Sequence, residues 1–290
     1  MKILVIGKDG QLSKCLQEIT GKFPYEVLFT TKTDLDITKI SLIESKISQY
    51  RPQVVINCAA FTEVDKAEEF KHEAFDLNSQ AVRNLAKVCK KNSISLVHIS
   101  TDYVFDGEGT GFYKESIPPN PSTTYGKSKL SGEKEIIKSN CQHLIIRTSW
   151  LFSQHGKNFL TTMIRLGLQK DKLKIVSDQF GCPTYAPDLA HAIFSSVKYF
   201  KEGENLGLYH YSGDTSCSWS NFAEEIFKEA YDYGIIKKIP IIEKVTSMDF
   251  VTPAKRPINS RLDSSLFQST FKIKPSDWKQ GIKKTLEARL

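Results

Sequence analysis

A doubly wound α/β fold, built on a parallel sheet and completed by a smaller interleaved C-terminal lobe, is predicted from three observations. Short apolar segments recur through the first half of the chain, helical periodicity fills the gaps between them, and a glycine-bearing turn follows the first segment directly. Strands that are apolar at nearly every position, rather than at alternate ones, belong to parallel sheets covered on both faces. Right-handed crossovers then wind such a sheet in both directions from its centre.

In order, Lys2–Ile6 reads as the first strand, followed by the turn and a helix over 11–21. Glu26–Thr30 is the second strand and residues 53–58 (Gln-Val-Val-Ile-Asn-Cys) the third. Ala74, Leu77, Ala81, Leu85 and Val88 give residues 72–91 a helical period. A fourth strand is expected over 94–100, a helix opening at Tyr125, and a fifth strand over 143–149. Residues 1–150 make the first domain. The pattern loosens over 151–290, expected to be mainly a substrate-binding lobe with helices near 158–169, 184–200, 220–233 and 276–289. Short strands near 172–177 and 207–211 are expected to return to the main sheet, and prolines and polar residues mark 239–261 as irregular. There is no internal repeat and no low-complexity tract.

A chain of 290 residues, 40% hydrophobic and 25% charged, has the composition of a globular protein with a large core. No apolar run approaches the roughly 20 residues that span a bilayer, and the N-terminus enters a strand without the layout of a signal peptide. Cys15, Cys58, Cys89, Cys141, Cys182 and Cys217 are scattered without CxxC spacing, which suits free thiols in a reducing compartment. The expected location is cytoplasmic. The net charge of +7 comes from dispersed lysines, so a nucleic-acid partner is not expected; a modest basic excess suits a phosphorylated small ligand.

The chemistry is concentrated in Tyr125-Gly126-Lys127-Ser128-Lys129, which places a phenol and an ammonium four residues apart on one helix face. A free tyrosine, with a pKa of about 10, is a sluggish acid near neutrality. A neighbouring cation and a helix N-terminus both favour the phenolate, and Ser122 or Thr123 is placed to cap the helix just before Tyr125. Upstream, Gly7-Lys8-Asp9-Gly10-Gln11-Leu12-Ser13 occupies the position where a dinucleotide fold holds a pyrophosphate on a helix N-terminus. Ser13 stands where the third glycine usually does. After the second strand come Thr31, Lys32 and Thr33 without an acid, which leans toward the 2′-phosphate of NADPH; NADH, with Asp34 as ribose ligand, stays open. At the rim formed by the later strands, Thr101 offers a hydroxyl that can hold a substrate carbonyl beside Tyr125.

With these residues, and with Val64-Asp65-Lys66-Ala67-Glu68, Arg147-Thr148-Ser149-Trp150, Asp178-Gln179-Phe180-Gly181-Cys182-Pro183-Thr184 and Arg256-Pro257-Ile258-Asn259-Ser260-Arg261-Leu262, the chain resembles the extended short-chain dehydrogenase/reductases over essentially its whole length. Within that superfamily it resembles the dTDP-4-dehydrorhamnose reductases. The resemblance implies an NADPH-dependent reduction of the C4 ketone of dTDP-4-dehydro-L-rhamnose, with Thr101, Tyr125 and Lys129 as catalytic triad. Lys129 would lower the tyrosine pKa and Thr101 would polarise the carbonyl. It implies cofactor contacts from Gly10, Gln11, Leu12, Asp36, Ile37, Ala60 and Thr62, beside Gly7 and Lys32 already read from the turn and second strand. Substrate contacts fall on Asp102, Tyr103, Trp150, Asn158 and Arg256, with C-terminal arginines meeting the diphosphate. Departures are Ser13, Cys58 and Phe61. Cys15 stands where some members use an acid to hold magnesium between subunits, so no metal is expected, and a monomer or weak homodimer is. Two alternatives remain: a reductase of another nucleotide-linked 4-ketosugar, or a non-catalytic NADP-binding module similar to the regulatory subunit of methionine adenosyltransferase.

Overall fold

The computed structural model describes residues 1–202 and 206–289. The chain begins with β1 (Lys2–Ile6), α1 (Gln11–Ile19), β2 (Glu26–Thr30), α2 (Ile40–Tyr50) and β3 (Val54–Asn57). Next come two short helices, α3 (Lys66–Glu69) and α4 (Lys71–Phe75), a π-helical turn over Asp76–Gln80, α5 (Ala81–Lys91) and β4 (Ser95–Thr101). The helix α6 (Thr124–Ser139) leads to β5 (His143–Thr148).

In the second half the order is β6 (Leu151–Phe152), α7 (Phe159–Gly167), β7 (Lys172–Val176), β8 (Phe180–Gly181), β9 (Thr184–Tyr185), α8 (Ala186–Ser196) and β10 (Gly207–His210). It closes with β11 (Cys217–Ser218), α9 (Trp219–Asp232), β12 (Ile241–Val245), α10 (Ser265–Phe271) and α11 (Trp278–Glu287).

Six parallel strands form the main sheet in the order β10-β5-β4-β3-β1-β2. Order reverses beside β1, and a crevice opens beyond the strand carboxyl ends, as doubly wound sheets require. Ile3, Val5, Val54, Ile56, Val97 and Ile146 face one layer, made by α1, α8 and the phenylalanines of α10. Leu4, Ile6, Val55, Leu96 and Ile145 face the other, made by α2, α5 and α6. A third apolar cluster gathers α7, α9 and α11 around Phe222, Phe227 and Trp278 and forms the second lobe. Thus α8, β10 and α10, although late in the chain, complete the core of the first half.

The strand expected near 172–177 does not return to the main sheet. β7 pairs in parallel with β12 in a separate two-stranded sheet, and β12 lies inside the stretch read as irregular. β7 buries alternate residues, the mark of a strand with one wet face rather than a central parallel strand. The sequence reading also passed over α2, which buries only Ile43 and Ile47 and so carries a thin apolar stripe.

Candidate active site

A cleft of about 940 Å³ runs along the carboxyl ends of the central strands. At one end is the turn from β1 to α1. Gly7 has φ +93°, and a Cβ there would lie 2.9 Å from the Ala59 nitrogen, so the two backbones meet as only glycine permits. Gly10 precedes α1 with no side-chain cap, which leaves first-turn N–H groups at Gln11 and Leu12 facing the cleft. Ser13 is fully buried and accommodates the packing that the third glycine usually allows. Lys32, Asp36 and Ile37 line the same end, and Ala60 and Thr62 the opposite wall. Asp34 is not among the lining residues; its carboxylate accepts from the Thr31 backbone N–H at 2.9 Å and the Thr31 hydroxyl at 2.7 Å. An acid committed to its own turn is a poor ribose ligand, and the cation that lines this end, beside Asp36, is Lys32.

The start of α6 is built to hold Tyr125. Thr123 caps it, accepting from the Gly126 N–H at 3.0 Å, as the sequence led one to expect. Glu68, from α3, accepts from the Thr124 N–H at 2.8 Å and the Thr124 hydroxyl at 2.6 Å, placing a carboxylate on the positive end of the helix. A Cβ on Gly126 would lie 2.1 Å from the Tyr103 carbonyl oxygen, so this glycine lets α6 rest directly on the strand-end segment. Further along, Gly132 lies against the Asn78 carbonyl (2.1 Å for a Cβ), and the Asn78 side chain binds Phe61 N, Phe61 O and Ser128 Oγ at 2.8–3.0 Å. The π-helical turn thereby clamps the wall of the cleft to α6. The motif that contains Glu68 is visible in the sequence but its clamping role is not, and Asn78 carries no signal at all, because nothing local distinguishes a clamping side chain from a solvated one.

Lys129 is 2% exposed, and its Nζ donates to the Ile99 carbonyl at 2.7 Å. Burial takes its pKa down from 10.5 to about 8, with Glu133 and Cys58 opposing. Burial also pushes the Tyr125 phenol well above its ordinary value, and the neighbouring Thr101 hydroxyl counters this only in part. Burial thus opposes the acidifying effect expected of Lys129, and Tyr125 keeps its proton. Thr101 donates to Asp102 Oδ1 at 2.9 Å. Asp102 is 3% exposed, its Oδ2 has no partner, and burial raises its pKa to about 6.

At the substrate end, Trp150 has φ +46°, a left-handed conformation rare for a bulky side chain. Its indole stacks on Trp219 with centroids 3.4 Å apart and donates to Ser260 Oγ at 3.1 Å. Any Cβ on Gly181 would fall 2.3 Å from this ring. The Tyr103 ring meets Tyr125 edge-on at 5.6 Å. Two expected substrate ligands are engaged by neighbouring side chains at the cleft edge. Asn158 caps α7 in a capping box, and its Nδ2 donates to Gln11 Oε1 at 2.7 Å and to the Ser153 carbonyl at 2.8 Å, so it is engaged in holding Gln11. Arg256 pairs with Asp65 at 2.7 Å and donates to the Tyr103 hydroxyl at 3.3 Å, and Arg261 donates to Asn259 Oδ1 and the Thr110 carbonyl. Neither arginine lines the cleft. Among the described residues, Cys15, Glu18 and His155 group within 4.8 Å, and none of the three lines the cleft.

The whole chain matches one known family. The model of the RmlD substrate binding domain covers residues 1–290. The chain belongs to this family. A dTDP-4-dehydrorhamnose reductase of Aggregatibacter actinomycetemcomitans is 39% identical over 97% of both chains. The crystal structure of the Bacillus anthracis dTDP-4-dehydrorhamnose reductase in complex with NADP superposes with a TM-score of 0.91, at 34% identity over 99% of both chains. A Clostridium acetobutylicum ortholog gives 0.92 and 39% over 100% of this chain and 99% of that one.

Proposed function

We propose that the chain reduces the C4 ketone of dTDP-4-dehydro-L-rhamnose to the alcohol of dTDP-L-rhamnose, with NADPH as reductant and Thr101, Tyr125 and Lys129 as its catalytic residues. One observation carries the reading: the three side chains share a single cleft with the glycine turn and helix N-terminus that suit a dinucleotide. The fit to that cofactor rests on the close approach at Gly7, the uncapped start of α1, the small residues Ala59 and Ala60, and Lys32 in place of an acid. When bound, NADPH supplies the hydride.

The chain's own residues do the rest. First-turn N–H groups of α1 receive the pyrophosphate, and Lys32 meets the 2′-phosphate. Gln11, held by Asn158 and by the Leu151 carbonyl, ties this end of the cleft to the second lobe. Tyr125, buried and protonated, donates its proton to the oxygen that becomes alkoxide, and a phenol that keeps its proton in the resting state is the form a reduction needs. Thr101 turns its hydroxyl from Asp102 to the substrate oxygen, lowering the cost of the charge that develops there. Trp150 and Tyr103 border the space left for the sugar.

The test is the loss of reduced-nicotinamide absorbance with dTDP-4-dehydro-L-rhamnose, run with NADPH and with NADH. Consumption that depends on the sugar nucleotide supports an enzyme; binding without consumption supports a regulatory module. Tyr125→Phe should lower turnover by roughly 10²–10⁴-fold with NADPH affinity retained, as expected for loss of a general acid. Turnover near that of the unaltered protein would refute the acid's assignment.

A further inference from the structure

The segment that follows β6 lies along one face of α1. Gln11, Cys15 and Glu18 are spaced by four and three residues and so share that face. Gln11 Nε2 donates to the Leu151 carbonyl at 3.2 Å, and Asn158 Nδ2 donates to Gln11 Oε1 at 2.7 Å. Between these ties, His155 Nε2 meets Glu18 Oε1 at 2.6 Å, and Cys15 Sγ completes a group of three donor atoms within 4.8 Å of one another. Thiolate, imidazole and carboxylate are the donors zinc takes, in tetrahedral array at about 2.0–2.3 Å, which sets the donors about 3.3–3.8 Å apart. Reaching that spacing asks for shifts of about 1 Å, and the Glu18 side chain, 46% exposed, is free to make them. The polar atoms here do not satisfy one another. His155 Nε2 faces the Glu18 carboxylate on one side and the Gln154 amide nitrogen, at 3.2 Å, on the other. With a proton on Nε2 the amide is donor against donor; without one, the carboxylate faces a lone pair. Gln154 Oε1 is closed from solvent and has no partner. A cation on the Nε2 lone pair removes the clash with the carboxylate and leaves Glu18 Oε2 to accept from Gln154 at 3.0 Å.

We propose that Cys15, Glu18 and His155 form a zinc site, with water as fourth ligand, that clips the 153–158 segment to α1. All three donors come from one chain and one of them is a thiol, which sets the site apart from a magnesium site shared between subunits: hard cations take oxygen, and thiolate with imidazole selects a softer ion. The segment is already shaped to present the ring. The His155 N–H donates to Ser153 Oγ at 3.1 Å, and its carbonyl accepts from Asn158 Nδ2 at 3.1 Å. Cys15 is fully buried, and burial pushes its thiol up to about 12 against the opposing Ser153 hydroxyl. Such a thiol is inert toward ordinary oxidants and alkylating agents, and yields its proton to an ion that binds the thiolate. Because none of the three donors lines the cleft, the site stands independently of the reaction proposed there.

Cobalt(II), added to the full chain after removal of metals by a chelator, reports the site by absorbance. A thiolate-to-cobalt charge-transfer band and the intense d–d bands of a four-coordinate ion are expected, saturating at about one equivalent. Stoichiometric Zn²⁺ should bleach both, and Mg²⁺ in about thousandfold excess should not. A weak six-coordinate cobalt spectrum, or displacement by Mg²⁺, overturns the proposal. Cys15→Ser should abolish the charge-transfer band. Glu18→Gln and His155→Ala, at partly exposed positions where folding is not at stake, should each weaken zinc by roughly 10²-fold or more, since even the supporting residues of a metal site are worth 10–100-fold. In thermal unfolding, Zn²⁺ should raise the Tm of the parent and leave that of His155→Ala unchanged. An equal rise in both would place the ion elsewhere and overturn the proposal.

Discussion

Gly126→Ala is the smallest change that should separate folding from catalysis here. In most helices this replacement stabilises, because alanine exceeds glycine in helix propensity by roughly 0.5–1 kcal/mol. At Gly126 the added Cβ would sit 2.1 Å from the Tyr103 carbonyl oxygen and 3.0 Å from Pro121 Cβ. Backbone carbonyls do not swing aside as flexible side chains do, so relief to an ordinary contact requires the start of α6 and the Tyr103 segment to part by about 1 Å, with an overpacking cost of about 1–3 kcal/mol. Net of propensity, about 1–2 kcal/mol of stability should be lost, a drop in Tm of a few degrees for a chain of this size. The catalytic cost is larger. Tyr125 is the preceding residue and Thr101 lies two residues before Tyr103, so the shift acts on the separation of the two groups proposed to meet the substrate oxygen. A misplacement of 1 Å lowers rate by about 10²-fold. Thermal unfolding, NADPH binding by fluorescence quenching, and steady-state turnover would be measured on the same preparation. A variant that is as stable as the parent and turns over within threefold of it would show that the close approach has no catalytic role.

Three further outcomes follow from the same geometry. Lys32→Asp should weaken NADPH by about tenfold and narrow its preference over NADH, since a charge-assisted contact to the 2′-phosphate is replaced by repulsion; unchanged KM values for both cofactors would contradict the assignment of that end of the cleft. Arg147→Met strips the bidentate partner from Glu133, both groups being 3% exposed or less, and should destabilise by about 3–5 kcal/mol, whereas Arg147→Met with Glu133→Leu should recover most of it, as read by chemical denaturation. Asp102, whose folded pKa is raised from 3.8 to about 6, binds protons more tightly when folded, so its contribution to stability falls as pH rises from about 4 to 6. Asp102→Asn should therefore gain stability over the parent above pH 6, by about 2–3 kcal/mol, and lose that advantage near pH 4. A stability difference that does not vary with pH would remove Asp102 as the cause.

Much of this protein is legible before any coordinates, because the signals concerned are local. The central strands β1, β3 and β5 announce themselves by runs of apolar residues (Ile3–Ile6, Val54–Ile56, Leu144–Ile146), which burial on both faces explains. Thr123, Tyr125 and Lys129 lie within seven residues, so a cap, a helix and a shared face follow from helical geometry alone. The same locality explains the failures. β7 is short and half apolar, and which sheet a five-residue strand joins depends on partners roughly 70 residues away in β12. Asn158 and Arg256 are polar residues beside chemistry-bearing motifs; whether such a group meets a ligand or a neighbour is decided by what the fold brings to it, here Gln11 and Asp65.

From sequence alone came the kind of protein this is: a doubly wound dinucleotide fold, with a phenol and a lysine set on one helix face. The protonation of those groups was decided only by tertiary structure. Charge state in an interior follows desolvation and the groups packed nearby, and both depend on side chains such as Cys58, Thr101 and Asp102 that arrive from other parts of the chain. Spacing along a chain determines which groups can share a face; packing around them determines which of those groups hold a proton.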